Sequence, residues 1–120
     1  MIVNTWQFKI KWLLLWMKIV YLLEECGDYP RYKIGVTKGT PEKRIKGLQT
    51  GNPNKIIVAK TFPSEFNTKI ESSLHRRYKS KRKEGEWFEL DSEDVAEFIN
   101  ECQKMHDIFD NLTKSGNPFI

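Results

Sequence analysis

At 120 residues with 39% hydrophobic side chains, the chain holds one core rather than two and is too apolar to be disordered over most of its length. Its two cysteines, Cys26 and Cys102, share no C-x-x-C spacing, which argues against a disulfide scaffold or structural zinc and for reduced, partly buried thiols. The net charge of +4 conceals its distribution: residues 31–83 hold fifteen Lys and Arg against Glu42, Glu65 and Glu71, net +12, whereas residues 84–120 hold ten acids against Lys104 and Lys114, net −8.

The first apolar stretch, Trp12–Met17, is separated by Lys18 from a second, Ile19–Leu23. Together they fall short of the roughly 20 apolar residues that span a bilayer. No small-residue cleavage site follows, so a cytoplasmic protein without an export signal is expected. Met17 stands directly before the second run. Residues 1–17 therefore read as an N-terminal extension, with 1–16 upstream of the natural start.

Lys18 to Glu24, rich in β-branched, aromatic and aliphatic residues, reads as a strand. Cys26-Gly27-Asp28-Tyr29-Pro30 is turn chemistry, and Arg31 to Thr37 is a second strand that completes an antiparallel hairpin. Thr40-Pro41-Glu42 supplies a hydroxyl cap, a proline at the first helical position and an acid in the first turn. The helix so begun turns Ile45 and Leu48 inward and stops at Gly51, before Asn52-Pro53. Ile56 to Phe62 is the third strand. Ser64 caps a second helix reaching about Lys79, with Phe66, Ile70, Leu74 and Tyr78 forming its apolar stripe.

Lys79 to Gly85 reads as a basic loop, and Trp87 to Leu90 as a short strand or an extended docking segment. Trp87 and Phe88 are expected to close the core, and Glu86 to pair with a basic residue. Asp91 or Ser92 caps a third helix, on which Val95, Phe98, Ile99, Cys102, Met105 and Phe109 keep a helical period. A tail begins at Thr113. The order β-β-α-β-α-(β)-α is that of a small α+β domain over 18–90, a packing helix over 91–112 and a tail over 113–120.

Within this frame several polar residues occupy positions near the core. Tyr21 is centred in the first strand and Lys33 in the second, so the hairpin can bring phenol and ammonium to one face. Arg44 neighbours inward-facing Ile45. Glu71 neighbours Ile70, and His75 lies one turn on. Beyond Glu65 at its start, Glu71 is the one acid on a helix that also carries Lys69, Arg76, Arg77 and Lys79. A lone carboxylate among cations suits a divalent metal whose other ligands are phosphate oxygens and water. Equally, Glu71 could be an ion-pair partner for Arg44 or Arg76, His75 a packed or capping residue, and Tyr21 simply core. The phosphate contacts expected from the basic block are Lys38, Lys43, Lys46, Arg76, Arg77, Lys79, Lys81, Arg82 and Lys83, with a solvated surface as the plain alternative.

Val20-Tyr21-Leu22, Tyr32-Lys33-Ile34-Gly35-Val36-Thr37, Glu42-Lys43-Arg44 with Leu48-Gln49-Thr50-Gly51-Asn52-Pro53, Glu71-Ser72-Ser73-Leu74-His75 and Gly85-Glu86-Trp87-Phe88 stand in this order over residues 18–90. This succession resembles the small phage-type branch of the GIY-YIG nuclease superfamily. The resemblance implies a three-stranded antiparallel sheet flanked by helices and metal-dependent hydrolysis of phosphodiesters, with Mg²⁺ or Mn²⁺ as cofactor. It implies that Tyr21 positions or deprotonates the attacking water and that Lys33 holds that water or assists Tyr21. Arg44 would clamp the scissile phosphate, Glu71 hold the metal, and His75 support them.

The sequence departs from the family pattern in four places. Ile19 stands for the first motif's glycine, and Lys33 for the second tyrosine, with Tyr32 displaced onto the other strand face. The late asparagine has no match beyond nearby Glu86, and Gly39-Thr40 lengthens a loop. The leading reading is a DNA endonuclease that relies on a protein partner or on nucleic-acid structure for targeting. The alternatives are an inactive nucleic-acid-binding module of the same fold and a phage accessory protein that binds an acidic protein.

Overall fold

Strand β1 (Lys18–Glu25) runs through the middle of the sheet. Ile19 to Leu23 are all buried, which is why this stretch is continuously apolar rather than alternating: both of its faces are covered. In the computed structural model, which describes residues 18–116, β2 (Arg31–Lys38) and β3 (Ile56–Pro63) flank β1 in the order β2-β1-β3, all antiparallel. Three helices complete the fold: α1 (Glu42–Gln49) between β2 and β3, then α2 (Asn67–Arg77) and α3 (Ser92–Lys114) after β3. This is the expected three-stranded α+β architecture. The proposed extension over 1–17 lies outside the described residues, as do 117–120 of the tail. Thr113 and Lys114 belong to α3 rather than to a tail. Among the described residues no helix is long and apolar enough to cross a membrane.

Side-chain alternation divides the core in two. On one face Val20, Leu22, Tyr32, Ile34 and Phe62 pack with Ile70 and Leu74 of α2, Phe98 and Cys102 of α3, and Phe88. On the other, Tyr21, Leu23 and Ile56 pack with Ile45 and Leu48 of α1, Val58 and Trp87. Tyr32 therefore does lie on the face opposite Lys33. Trp87 to Leu90 is an extended docking segment rather than a strand: Tyr32 and Phe88 exchange backbone hydrogen bonds of 2.9 and 2.7 Å across the outer edge of β2. Phe88 closes one core and Trp87 borders the other.

Two helix starts differ from expectation. The cap of α1 is Pro41, in helical conformation, with no side-chain cap bond, so Thr40 does not cap it. Helix α2 begins at Asn67, because the Ser64 hydroxyl accepts from the Phe66 amide (3.0 Å) and contacts His106 Nδ1 (2.7 Å) instead of capping. It ends at Arg77, and Lys79–Lys81 form a 3-10 turn. At α3 the ambiguity resolves to Asp91, which forms a reciprocal capping box with Asp94.

The Leu48–Pro53 motif acts as a structural hub. Gln49 Nε2 donates to the carbonyls of Asn52 (3.1 Å) and Asn54 (2.7 Å), and its Oε1 accepts from the Ile56 amide (2.9 Å). Asn52 Nδ2 donates to buried Glu25 at 2.7 Å, and Arg31 makes a two-pronged contact with the same carboxylate at 3.0 and 2.9 Å. Burial disfavours the Glu25 carboxylate, but hydrogen bonds from Asn52 and Arg31 and the Arg31 charge outweigh it and lower the pKa below 4.5. A lowered folded-state value contributes stability above the unfolded value and loses it as pH falls through the folded one. Urea midpoints of the protein and of Glu25→Gln should therefore differ most near neutrality and converge below about pH 4.5. A pH-independent gap would contradict this account.

Candidate functional site

The site is centred on Tyr21, whose strand partner is Gly35. The phenol lies directly across that glycine: a Cβ at position 35 would stand 2.3 Å from the Tyr21 hydroxyl and 2.4 Å from Cζ. Gly35 thus lets a buried tyrosine carry its hydroxyl to the outer strand of the sheet. Burial raises the Tyr21 pKa above 10, the charges of Glu71 and Glu86 push the same way, and the charge and hydrogen bond of Arg44 oppose them. Tyr21 is therefore a neutral phenol near neutral pH, able to donate and accept a hydrogen bond.

Lys33 is the partner of Leu23, one pleat along from Tyr21 on the same face. Its Nζ lies 3.5 Å from Glu86 Oε2 and 5.7 Å from the centre of the Trp87 ring. Arg44 arrives from α1 on that face and reaches Tyr21. Glu71 and His75 arrive on α2, which packs against the other face and against β2. His75 Nε2 lies 3.0 Å from the Ile34 carbonyl, and its ring stands edge-on to Phe88 at 5.3 Å. A carbonyl can only accept, so Nε2 carries the proton, and His75 pins α2 to the outer strand.

Among the described residues Glu71 forms no hydrogen bond or ion pair. Of the expected alternative partners, Arg76 donates to Ser73 Oγ at 3.3 Å, and Arg44 acts on Glu71 through its charge without an ion pair. Half-burial raises the Glu71 pKa, and the Glu86 charge adds to this against those of His75 and Arg44. The five residues singled out for chemistry are thus carried by four elements, β1, β2, α1 and α2. Glu86 and Trp87 join them, and sequence reasoning gave neither a place in the site. Strand parity locates residues within a strand, whereas these two sit on a connecting segment whose path is set by backbone pairing with Tyr32 and with residues 81–83.

No group of three or more His, Cys, Asp or Glu suited to a metal exists among the described residues. This donor set does not make a self-sufficient zinc or calcium cage. It does fit Mg²⁺, which keeps several waters and takes one or two carboxylates together with substrate phosphates. Glu71, half-buried and without a hydrogen bond or ion pair among the described residues, is a residue that could hold such an ion.

The basic residues expected to contact phosphate separate into two groups. A cleft of about 430 Å³ between β2 and α1 is lined by Thr37, Lys38, Gly39, Thr40, Lys43 and Arg44, with no carboxylate in that lining. Lys46 is exposed on α1. The basic residues after α2 are largely tied down instead. Arg77 pairs with Glu101 at 3.3 Å, Lys81 with Asp94 and with Asp91 at 3.6 Å, and Lys83 with Glu89 at 3.9 Å. Arg82 donates to the Gly85 carbonyl at 3.1 Å. Arg76 and Lys79 are exposed. The basic loop expected over Lys79–Gly85 is thus a 3-10 turn and a tight turn clamped by acids at the start of α3 and just before it.

Residues 18–103 match the family model described as the T5orf172 domain. No curated protein matches the chain, and neither does any solved structure.

Proposed function

The chain belongs to the T5orf172 domain family, and from that premise we propose that it is a metal-dependent endonuclease of GIY-YIG type acting on DNA. The observation that carries the reading is the convergence of Tyr21, Lys33, Arg44 and the unpaired Glu71 on one glycine-backed edge of the sheet. Arg44, whose charge acts on the Tyr21 phenol, clamps the scissile phosphate and offsets its developing charge. Tyr21, kept neutral by burial, orients the attacking water. Lys33 presents its ammonium to the same face. Glu71 holds Mg²⁺ or Mn²⁺, which when bound lowers the pKa of coordinated water and stabilises charge on phosphate oxygens. Incubation of supercoiled plasmid with the protein and Mg²⁺ should yield nicked circles, and EDTA should prevent it.

A second reading is a binding module of this fold without turnover, and the observation that favours it is the Lys33–Glu86 pair at 3.5 Å, which ties up the residue in the second tyrosine's place. Inactivity with Mg²⁺, Mn²⁺ and other divalent ions would select it. Either way, DNA affinity should fall steeply with salt, because each phosphate contact releases counterions. Lys43→Ala, in the cleft, should reduce the slope of log K against log salt by about one unit, whereas Lys81→Ala, already paired within the protein, should leave it nearly unchanged. Equal effects, measured by fluorescence anisotropy across a salt series, would return the binding surface to the segment after α2. Salt-sensitive capture of an acidic protein, without DNA binding, would favour an accessory role.

A further inference from the structure

One carboxylate of the site has no part in that chemistry. Glu86 sits in a turn held at both ends by the backbone: the Lys83 amide donates to the Trp87 carbonyl at 2.7 Å, Gly85 has a φ of 65°, and Phe88 is paired with Tyr32. Only its side chain is free to move, and that side chain is 56% exposed. It nevertheless reaches inward to Lys33, whose own side chain is 13% exposed. Trp87, the next residue, lies beneath Lys33 and also beneath Arg31, 5.2 Å from the ring centre. Arg31 is in turn anchored by buried Glu25. The indole is thus backed by a fixed cation, and the Lys33 ammonium is held from two directions, by the ring and by Glu86. Both contacts require the ammonium form.

We propose that Glu86 is a positioning residue: it holds Lys33 over Trp87 beside Tyr21 in the free protein and yields it to a phosphate oxygen when a strand binds. Its placement of Lys33 for cleavage rests on the nuclease reading, whereas its competition with phosphate for Lys33 does not. An ordinary exposed ion pair would contribute little. A positioning pair has a different signature, because the carboxylate opposes binding and supports turnover. Removing it should therefore move KM and kcat in the same direction.

The test is a double-mutant cycle over Glu86→Gln and Lys33→Met, with Glu86→Asp as the conservative variant. Plasmid nicking gives kcat and KM, and anisotropy in EDTA gives Kd for uncleaved duplex. Thermal melts check folding, which an exposed carboxylate barely affects. Glu86→Gln is expected to lower kcat about tenfold while tightening Kd and KM about threefold, and in the Lys33→Met background both changes should vanish. Glu86→Asp should recover most of kcat. Effects of equal size with and without Lys33, or none in either background, would overturn the proposal. If the unmodified protein does not nick DNA, the nuclease reading falls and the Kd cycle alone decides: Lys33-dependent tightening upholds the competition, and its absence ends it.

Discussion

Glu71→Gln should reduce plasmid nicking by about a thousandfold or more, the scale seen when a charge-stabilising group is lost from an active site, while leaving the fold intact. Glutamine keeps the shape but supplies no anionic ligand. Loss of folding cannot produce this result, for a reason specific to the site. The Glu71 pKa is raised, first by burial and then by the neighbouring Glu86 charge, and Glu71 makes no compensating bond among the described residues. A carboxyl with a raised folded value loses stability as pH rises from its unfolded value through the folded one, so above that window the group is a burden on the fold. Glu71→Gln should consequently melt at or above the unmodified protein at pH 7, and the two should converge as pH falls. An inactive variant with an unchanged or raised melting temperature, and with weakened Mn²⁺ binding by isothermal titration, is the full expected result. Retention of nicking would remove Glu71 from the metal site. Arg44→Ala, which takes away the clamp and the charge that acts on Tyr21, should cost about 10² to 10³ in rate by the same measure.

Gly35→Ala should be damaging far beyond the size of one methyl group. The added carbon would meet the Tyr21 hydroxyl at 2.3 Å and Cζ at 2.4 Å, well inside contact distance. Tyr21 is almost completely buried, and Ile45, Leu48 and Trp87 pack against its cluster, so the ring cannot retreat without disturbing that packing. Overpacking of this kind costs about 1–3 kcal/mol. Displacing the phenol by an ångström should also lower the nicking rate about a hundredfold. Gly47 in α1 is the natural control: a Cβ there meets nothing within 4 Å, and alanine in a helix is favoured over glycine by up to about 1 kcal/mol. Gly47→Ala should thus be neutral or stabilising with full activity. Equal behaviour of the two variants in urea melts and nicking assays would refute the close approach of Tyr21 to Gly35.

Much of this arrangement is written locally. The three strands and three helices follow from the apolar run at Ile19–Leu23, the alternation Tyr32-Ile34-Val36 and the helical stripes at Ile70–Leu74 and Phe98–Cys102. Tyr21 and Lys33 fall on one face by parity alone. The parts that escaped depend on partners distant in the chain. Ser64 is a good cap by type, but its hydroxyl is engaged by His106, 42 residues on. Lys81 reads as a phosphate contact until Asp91 and Asp94 fold onto it. A segment's net charge records composition, whereas its field depends on which acids the tertiary fold lays against it. Glu71 presented two partners in sequence, Arg44 and Arg76. Only the placement of α2 against β2 shows that neither closes on it.

The backbone pairing of Phe88 with Tyr32 has a consequence unrelated to catalysis. With β1 in the middle, β2 is a border strand, and an unpaired border offers hydrogen-bonding groups to any extended chain. Phe88 satisfies the amide and carbonyl of Tyr32, and His75 covers the carbonyl of Ile34. The segment that delivers Glu86 and Trp87 is therefore also an edge guard. A protein in which it peeled away would lose its site and expose a sticky strand at once, so self-association would accompany inactivity. Integrity of the site and resistance to aggregation are, in this domain, maintained by the same segment.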